Sequence, residues 1–143
     1  MTIIDSVRTY IKTFPGLRDY VEQIARIDLD GLAEDTTCYA IEVTPGNPVL
    51  RKYLDGSAVK QFLFVFASRE LTAEDVQKVD CYAFYEAFEE WLDAQSRAEI
   101  LPDLGENREA MDIRALTSGY VFNKEHETSQ YQIQCRLKYL ERI

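Results

Sequence analysis

The most apolar run in the chain spans residues 60–70, and its pattern predicts a strand that is buried on both faces. Alternate side chains of a strand point to opposite faces, so the three phenylalanines of this run share one face. Leu63, Val65 and Ala67 share the other face, and a strand that is apolar on both faces must be covered on both. We expect the main helix to cover one of the two faces, and a small inner layer or a second subunit to cover the other.

A turn signal precedes this run and predicts a hairpin. Asp55-Gly56-Ser57 lies between two segments that carry apolar residues, and Asp-Gly in that position is typical of a tight hairpin turn. Residues 49–54 are therefore predicted to form the first arm and residues 58–67 the second. Alternation of apolar and polar residues predicts further strands at residues 24–29, 37–43, 113–122 and 131–143.

Two stretches carry apolar residues at helical spacing. The first covers residues 4–13 and ends before Pro15-Gly16, which punctuates the chain. The second is the main helix, which begins after the cap signal at Thr72 and runs to about Ala98. Its apolar stripe is wide and aromatic, so we expect the whole stripe to lie across one face of the sheet. The stripe consists of Val76, Val79, Ala83, Phe84, Ala87, Phe88, Trp91 and Leu92. The predicted solvent side of the helix consists of Glu86, Glu89, Glu90 and Asp93.

The order of these elements predicts an α+β fold. Strands in succession with two separated helices, and no regular alternation of strand and helix, favour a mainly antiparallel, mixed sheet. We predict about five strands packed against two or three helices, in a single domain over residues 1–143. A chain of 143 residues is long enough to bury a core without disulfides or a metal.

The charge balance is acidic and bears on possible partners. Lys and Arg total 16 against 25 Asp and Glu, which gives a formal net charge of −9. Tight binding to a phosphate backbone depends on clustered Lys and Arg, so specific nucleic-acid binding is not expected. An acidic surface instead suits a channel through which DNA slides without adhering. No apolar run approaches the roughly 20 residues of a membrane span, so no membrane association is predicted.

The sequence shows no constellation that is typical of catalysis or of a cofactor site. The three cysteines are far apart and lack a CxxC spacing, which argues against a disulfide framework and a zinc site. The single histidine, His126, lies in a highly polar turn, where packing would not position it for catalysis. Residues 28–35 are acidic but lack the later ligands of a calcium loop. We therefore predict no catalytic residue, no cofactor and no metal site.

A series of motifs in fixed order spans almost the whole chain. They are Ser6-Val-Arg, Phe14-Pro15, Asn47-Pro48, Tyr53-Leu-Asp-Gly-Ser57, Gln61-Phe-Leu-Phe-Val-Phe-Ala-Ser-Arg-Glu70, Phe84-Tyr85, Glu90-Trp91-Leu92, Leu101-Pro102-x-Leu-Gly105, Gly119-Tyr120-Val-Phe122 and Tyr131-Gln-Ile-Gln-Cys-Arg-Leu137. In order and spacing they resemble a family of minor capsid, or minor structural, proteins from long-tailed phages and prophages of Gram-positive bacteria. The family motif has Asn-Ile-Glu before the main helix and a Gly near its Phe-Tyr, whereas this chain reads Val79-Asp-Cys-Tyr-Ala-Phe84. That departure bears on where the main helix begins.

The resemblance implies the fold and the role of phage tail terminators and related head-tail joining proteins. Tail terminators form a hexameric ring that caps the completed tail tube, stops its polymerisation and offers a surface to the head connector. For this chain the resemblance implies self-association into such a ring, with the major tail tube protein and head-connector proteins as partners. It implies that DNA passes through without specific binding. It also implies a place in the virion tail or neck, after synthesis in the bacterial host cytoplasm.

A ring protein needs two different contact patches on each subunit, because head-to-tail contacts close a ring. Charged and aromatic residues of the hairpin, and the charged end of the apolar strand, are the candidates. The predicted inter-subunit contacts are Arg51, Lys52, Tyr53, Asp55, Arg69 and Glu70.

Three alternatives remain open at this point. One is a small enzyme or ligand-binding protein that works without histidine, which a buried pocket joining Tyr53, Arg69 and Glu70 would favour. Another is a monomeric adaptor that binds a host factor through its aromatic surface. The third is a different neck or minor capsid component.

Overall fold

The computed structural model describes residues 2–17, 27–29, 38–71, 75–124 and 128–143. Within these ranges it contains two helices and a seven-stranded mixed sheet, which confirms the predicted α+β class. The helices are α1 (Ile3–Ile11) and α2 (Asp75–Arg97). The strands are β1 (Ile27–Leu29), β2 (Cys38–Val43), β3 (Val49–Lys52), β4 (Ala58–Leu71), β5 (Arg108–Ala115), β6 (Tyr120–Lys124) and β7 (Thr128–Glu141).

The two longest strands, β4 and β7, form the centre of the sheet. They pair antiparallel over 14 residues each, from Ala58 opposite Glu141 to Leu71 opposite Thr128. On the other side of β4 lie β2 and β3, and on the other side of β7 lie β5 and β6, all antiparallel. The described part of β1 pairs with β2 in parallel, which makes the sheet mixed. The apolar run predicted as a buried strand is thus the middle of β4.

The sheet has more strands than predicted, partly because the segment at 113–122 is not one strand but parts of two. The backbone amides of Leu116 and Thr117 both donate to the carbonyl of Gln134, at 2.7 and 3.4 Å. Two residues thus lie opposite one residue of β7, and such a bulge interrupts regular pairing. Gly119 then passes close to α2, where an added Cβ would lie 2.4 Å from Cβ of Tyr85. β5 ends before this interruption and β6 begins after it.

The core lies between one face of the sheet and the two helices. Phe64 and Phe66 of β4 are fully buried on that face. The ring of Phe66 stacks on that of Phe88 in α2, with centroids 4.8 Å apart. Phe14, just after α1, meets Phe88 edge-on at 5.3 Å. The helical cover predicted for one face of this strand is therefore confirmed, and the face is that of the phenylalanines.

The other face of β4 is covered in part by the chain itself. Residues 44–48 cross this face, and an added Cβ at Gly46 would lie 2.2 Å from Cδ1 of Leu63. Gln61 Nε2 donates to the carbonyl of Asn47 at 2.7 Å, which holds the loop in place. The cover over Leu63 is thus a small layer of this chain. A small inner layer was one of the two alternatives that the sequence predicted, the other being a second subunit.

The wide apolar stripe of α2 is divided into a buried and an exposed half, so the prediction that all of it faces the sheet is wrong. Phe88 is fully buried, whereas Val76 and Val79 are 61% and 65% exposed. At about 100° per residue, Val79 lies about 180° round the helix from Phe88, so both cannot face the sheet. The exposed apolar stripe of α2 consists of Val76, Val79, Ala83 and Ala87.

The helix boundaries agree with the predictions to within a few residues. α1 begins at Ile3, where the side chain of Thr2 accepts a hydrogen bond from the backbone amide of Asp5 at 3.3 Å. α2 ends at Arg97. In the part of the chain that is described, neither helix combines the length and the hydropathy needed to cross a membrane. Several predicted features lie outside the described residues. They are the strand start at 24–26, most of the acidic run at 28–35, the cap at Thr72 and the turn with His126.

The division of α2 predicts that substitutions of two apolar residues on this helix differ widely in their effect on the free energy of unfolding. Phe88→Ala should lower the free energy of unfolding by about 3–5 kcal/mol, because it removes a fully buried ring. Val79→Ala should change it by about 0.5 kcal/mol or less, because the side chain is exposed. Urea unfolding followed by circular dichroism, at protein concentrations that keep the chains separate, gives both values. Similar losses in the two variants would contradict the division.

Candidate assembly surfaces

The turn between β3 and β4 is held by its own hydrogen bonds. Asp55 Oδ1 accepts from the backbone amide of Ser57 at 2.9 Å and from its hydroxyl at 2.6 Å, and these bonds lower the pKa of Asp55. Gly56 has φ 95°, in the left-handed region that favours glycine. The amide of Tyr53 donates to the carbonyl of Ser57 at 2.9 Å. The predicted hairpin is confirmed, and its turn holds Leu54 at a fixed place.

The side chains of this hairpin form a surface that is both apolar and basic. Leu54, at the turn, is fully exposed, and Leu50 is nearly half exposed. The guanidinium carbon of Arg51 lies 5.4 Å from the centre of the Tyr53 ring, a cation–π contact that orients both side chains. The hairpin patch consists of Leu50, Arg51, Lys52, Tyr53 and Leu54, all of which are exposed.

At the far end of β4 the structure corrects one predicted contact. Glu70 is 1% exposed, and Cys81 Sγ donates to its Oε2 at 2.7 Å. The carboxylate is therefore buried within the subunit and is not available to a neighbouring one. The sequence contained the signal, because Glu70 has the same parity along β4 as Phe64 and Phe66 and so shares their buried face. Arg69 points to the opposite face and is half-buried.

A buried hydroxyl cluster lies beside Glu70. The Tyr85 hydroxyl donates to the carbonyl of Tyr131 at 3.0 Å and lies 2.7 Å from the Ser68 hydroxyl, which supplies the other hydrogen bond. Burial raises the pKa of Tyr85 well above its ordinary value. These bonds tie α2 to β4 and β7 at one level of the sheet. Their arrangement explains why polar side chains are tolerated at this end of the core.

The six predicted contacts do not converge on one site. Tyr53 precedes the start of β4 and Glu70 lies near its end, so at about 3.4 Å per residue they are about 40 Å apart. A pocket joining Tyr53, Arg69 and Glu70, which would favour the enzyme or ligand-binding alternative, is therefore not formed by this chain. Arg51, Lys52, Tyr53 and Asp55 remain together at the hairpin.

An acidic groove runs between α2 and β5, next to the exposed apolar stripe. It is open, with a volume of about 530 Å³. It is lined by Glu86, Glu89, Glu90, Asp93, Arg114 and Ala115. Across the residues that the structure covers, no group of three or more His, Cys, Asp or Glu side chains is arranged to hold a metal ion. The exposed stripe was not predicted from the sequence, because its helical spacing is the same signal that marks a core-facing stripe.

The fold and these surfaces define a class: an α+β chain on a central antiparallel strand pair, with exposed apolar patches on the hairpin and on α2. The chain matches no protein-family model and no curated protein.

Removal of one oxygen atom from the hydroxyl cluster, that of Tyr85, is expected to lower the stability of the fold. Tyr85→Phe should lower the free energy of unfolding near neutral pH by about 1–3 kcal/mol, because Ser68 and the Tyr131 carbonyl lose a buried partner. Tyr53→Phe is the matched control, because its ring is exposed. Urea unfolding measures both, and equal stabilities of the two variants would contradict the structural role of the cluster.

The same residue predicts a pH dependence. The pKa of Tyr85 is raised in the folded state. Its contribution to the free energy of unfolding is therefore complete below about pH 10 and is lost as the pH rises further. Burial also raises the pKa of Tyr10 and Tyr131 to about 12, so the fall above pH 10 has several contributors. In Tyr85→Phe the fall in unfolding free energy should be less steep by up to about 1.4 kcal/mol per pH unit. Urea unfolding of the wild-type chain and of Tyr85→Phe at several alkaline pH values tests this, and equal steepness would contradict it.

Proposed function

We propose that this chain is a structural protein of the virion of a long-tailed phage or prophage, acting as a tail terminator that forms a ring and caps the tail tube. The order and spacing of its motifs support this assignment. The longest motif, at residues 61–70, occupies the central strand β4, and the motif at residues 53–57 forms the hairpin turn. The motifs thus coincide with the centre of the fold and with one of its exposed patches.

The observation that carries the proposal is the presence of two unlike exposed apolar patches that are separated on one subunit. The hairpin patch precedes the start of β4, and the exposed apolar stripe of α2 begins five residues after β4 ends. The 14 residues of β4 span about 45 Å. Two unlike surfaces on one chain permit head-to-tail contacts, which close into a ring when the rotation allows. Clustered apolar exposure of this kind marks interaction surfaces.

The remaining properties of the chain are compatible with a capping role. Capping works by occupying the end of a tube and needs no reaction centre. A net charge of −9 disfavours adhesion of DNA, which must pass through the ring. The major tail tube protein would lie on one side of the ring and the head-connector proteins on the other.

The test is a polymerisation assay with the major tail tube protein encoded alongside this chain. With the chain present, we expect tubes to stop growing and to carry a ring of extra density at one end in electron micrographs. Without it, tubes should continue to lengthen. A parallel sample contains the Leu54→Ser variant, which lacks an exposed apolar side chain of the hairpin patch. If capping depends on the ring, tubes should keep lengthening with this variant, whereas non-specific coating of the tubes should be unchanged. Unchanged tube lengths, bare tube ends and a monomeric mass for the chain in the presence of tubes would refute the proposal.

A further inference from the structure

The hairpin patch has the properties of an anchor that inserts into a partner. Leu54 is fully exposed on a turn whose backbone is fixed by Asp55, Gly56 and Ser57. A side chain presented on a rigid turn loses little conformational freedom on binding, so more of its contact energy becomes affinity. Contact energies concentrate in a few such anchors, among which aromatic and arginine side chains are frequent. Tyr53 and Arg51, already in contact with each other, belong to this group.

The exposed apolar stripe of α2 has the complementary properties. Val76 and Val79 present branched side chains, whereas Ala83 and Ala87, the next two positions along the stripe, are small. Residues three and four apart are neighbours on a helix surface, so the two alanines follow the valines with little side-chain bulk. A leucine side chain can pack against such a surface.

Charge makes the two surfaces complementary. Glu86 and Glu90 are exposed and stand three residues beyond Ala83 and Ala87, on the side of the stripe that faces the acidic groove. The hairpin carries the exposed cations Arg51 and Lys52 against one anion, Asp55, whose Oδ1 accepts two hydrogen bonds from Ser57, in a chain whose net charge is −9. Two copies of such a chain repel each other in most orientations. An orientation that brings the hairpin cations against the helix carboxylates is favoured over the others.

We propose that the occupant of the α2 stripe is the hairpin of a second copy of this chain, with Leu54 seated between Val79 and Ala87 and with Arg51 and Lys52 facing Glu86 and Glu90. The inference rests on the proposed ring and names the contact that builds it. Phe88, next to the last residue of the stripe, stacks on Phe66, which lies eight residues along β4 from the hairpin end. The two surfaces are therefore separated on one subunit and meet only between copies. Each copy then offers one free hairpin and one free stripe until the ring closes.

Charge reversal in matched pairs tests the contact. Arg51→Glu with Lys52→Glu should give a monomeric mass in sedimentation at concentrations where the wild-type chain is assembled. Glu86→Lys with Glu90→Lys should do the same. An equal mixture of these two double variants should recover the assembled mass, because each hairpin then meets a stripe of opposite charge. Lys12→Glu with Lys124→Glu, an equal change of charge at two exposed positions elsewhere, should keep the wild-type mass.

A disulfide test gives a second readout that does not depend on charge. Leu54→Cys combined with Ala83→Cys should form, on oxidation, a ladder of covalent oligomers that ends at the ring size. A mixture of the two single variants should stop at covalent dimers, because each chain then carries one reactive end. The native thiols of Cys81 and Cys135 are buried, and each single variant alone measures the background.

The outcomes of these experiments distinguish an error in the proposed contact from an error in the proposed ring. If the wild-type chain assembles, but the charge-reversed variants keep its mass and the disulfide ladder is absent, the hairpin-to-helix contact is wrong and the ring stands. If the wild-type chain stays monomeric with and without tail tubes and no ladder forms, both are overturned. Circular dichroism of each variant confirms that loss of mass does not follow from loss of folding.

Discussion

The pairing of β4 with β7 is the constraint on which the rest of the structure depends. Fourteen consecutive residue pairs join the two strands, and all other strands attach to one of them directly, except β1, which attaches through β2. Lys60 Nζ lies 2.8 Å from Glu141 Oε1, and Arg108 Nε lies 3.3 Å from Glu141 Oε2, so ion pairs join β4, β7 and β5 at one end. The hydrogen bond from Lys60 lowers the pKa of Glu141. At the other end the buried hydroxyl of Tyr85 joins the same two central strands to α2.

The length of this strand pair also determines what the surface can do. Because the pair spans about 45 Å, the hairpin and the first turns of α2 are kept far apart and cannot satisfy each other within one subunit. Apolar side chains at Leu54 and Val79 therefore remain exposed. In the proposed contact, the two surfaces therefore meet between molecules.

Much of the fold was predictable because strand and turn signals are local. Alternation along residues 131–143 and the Asp55-Gly56 turn predicted β7 and the hairpin, since both depend on neighbours in the sequence. The break between β5 and β6 was not predictable in this way, because it depends on the carbonyl of Gln134 in another strand. Helical spacing likewise marks Val79 and Phe88 as equally apolar. Only the position of the sheet decides which of them is buried.

The candidate surfaces were predictable only in part, for related reasons. The four hairpin residues predicted as contacts are exposed, as a contact requires, and their role as contacts stays a prediction. Glu70 was assigned to the surface because its charge outweighed its parity along β4. The thiol of Cys81, which donates to the Glu70 carboxylate, lies in α2, so a pattern confined to β4 could not show it. Leu54 was overlooked, although an apolar residue beside an Asp-Gly turn cannot readily be buried.

In the proposed ring, an acidic chain has to bind copies of itself against its own repulsion. At physiological ionic strength, charges are screened beyond about 8 Å, so the net charge of −9 matters less than the charges next to the proposed contact. On this proposal, apolar burial supplies most of the binding energy, and Arg51 and Lys52 select the orientation in which it is gained. Carboxylates outside the proposed contact then disfavour the adhesion of DNA. The proposal thus reconciles assembly through an acidic chain with the passage of DNA.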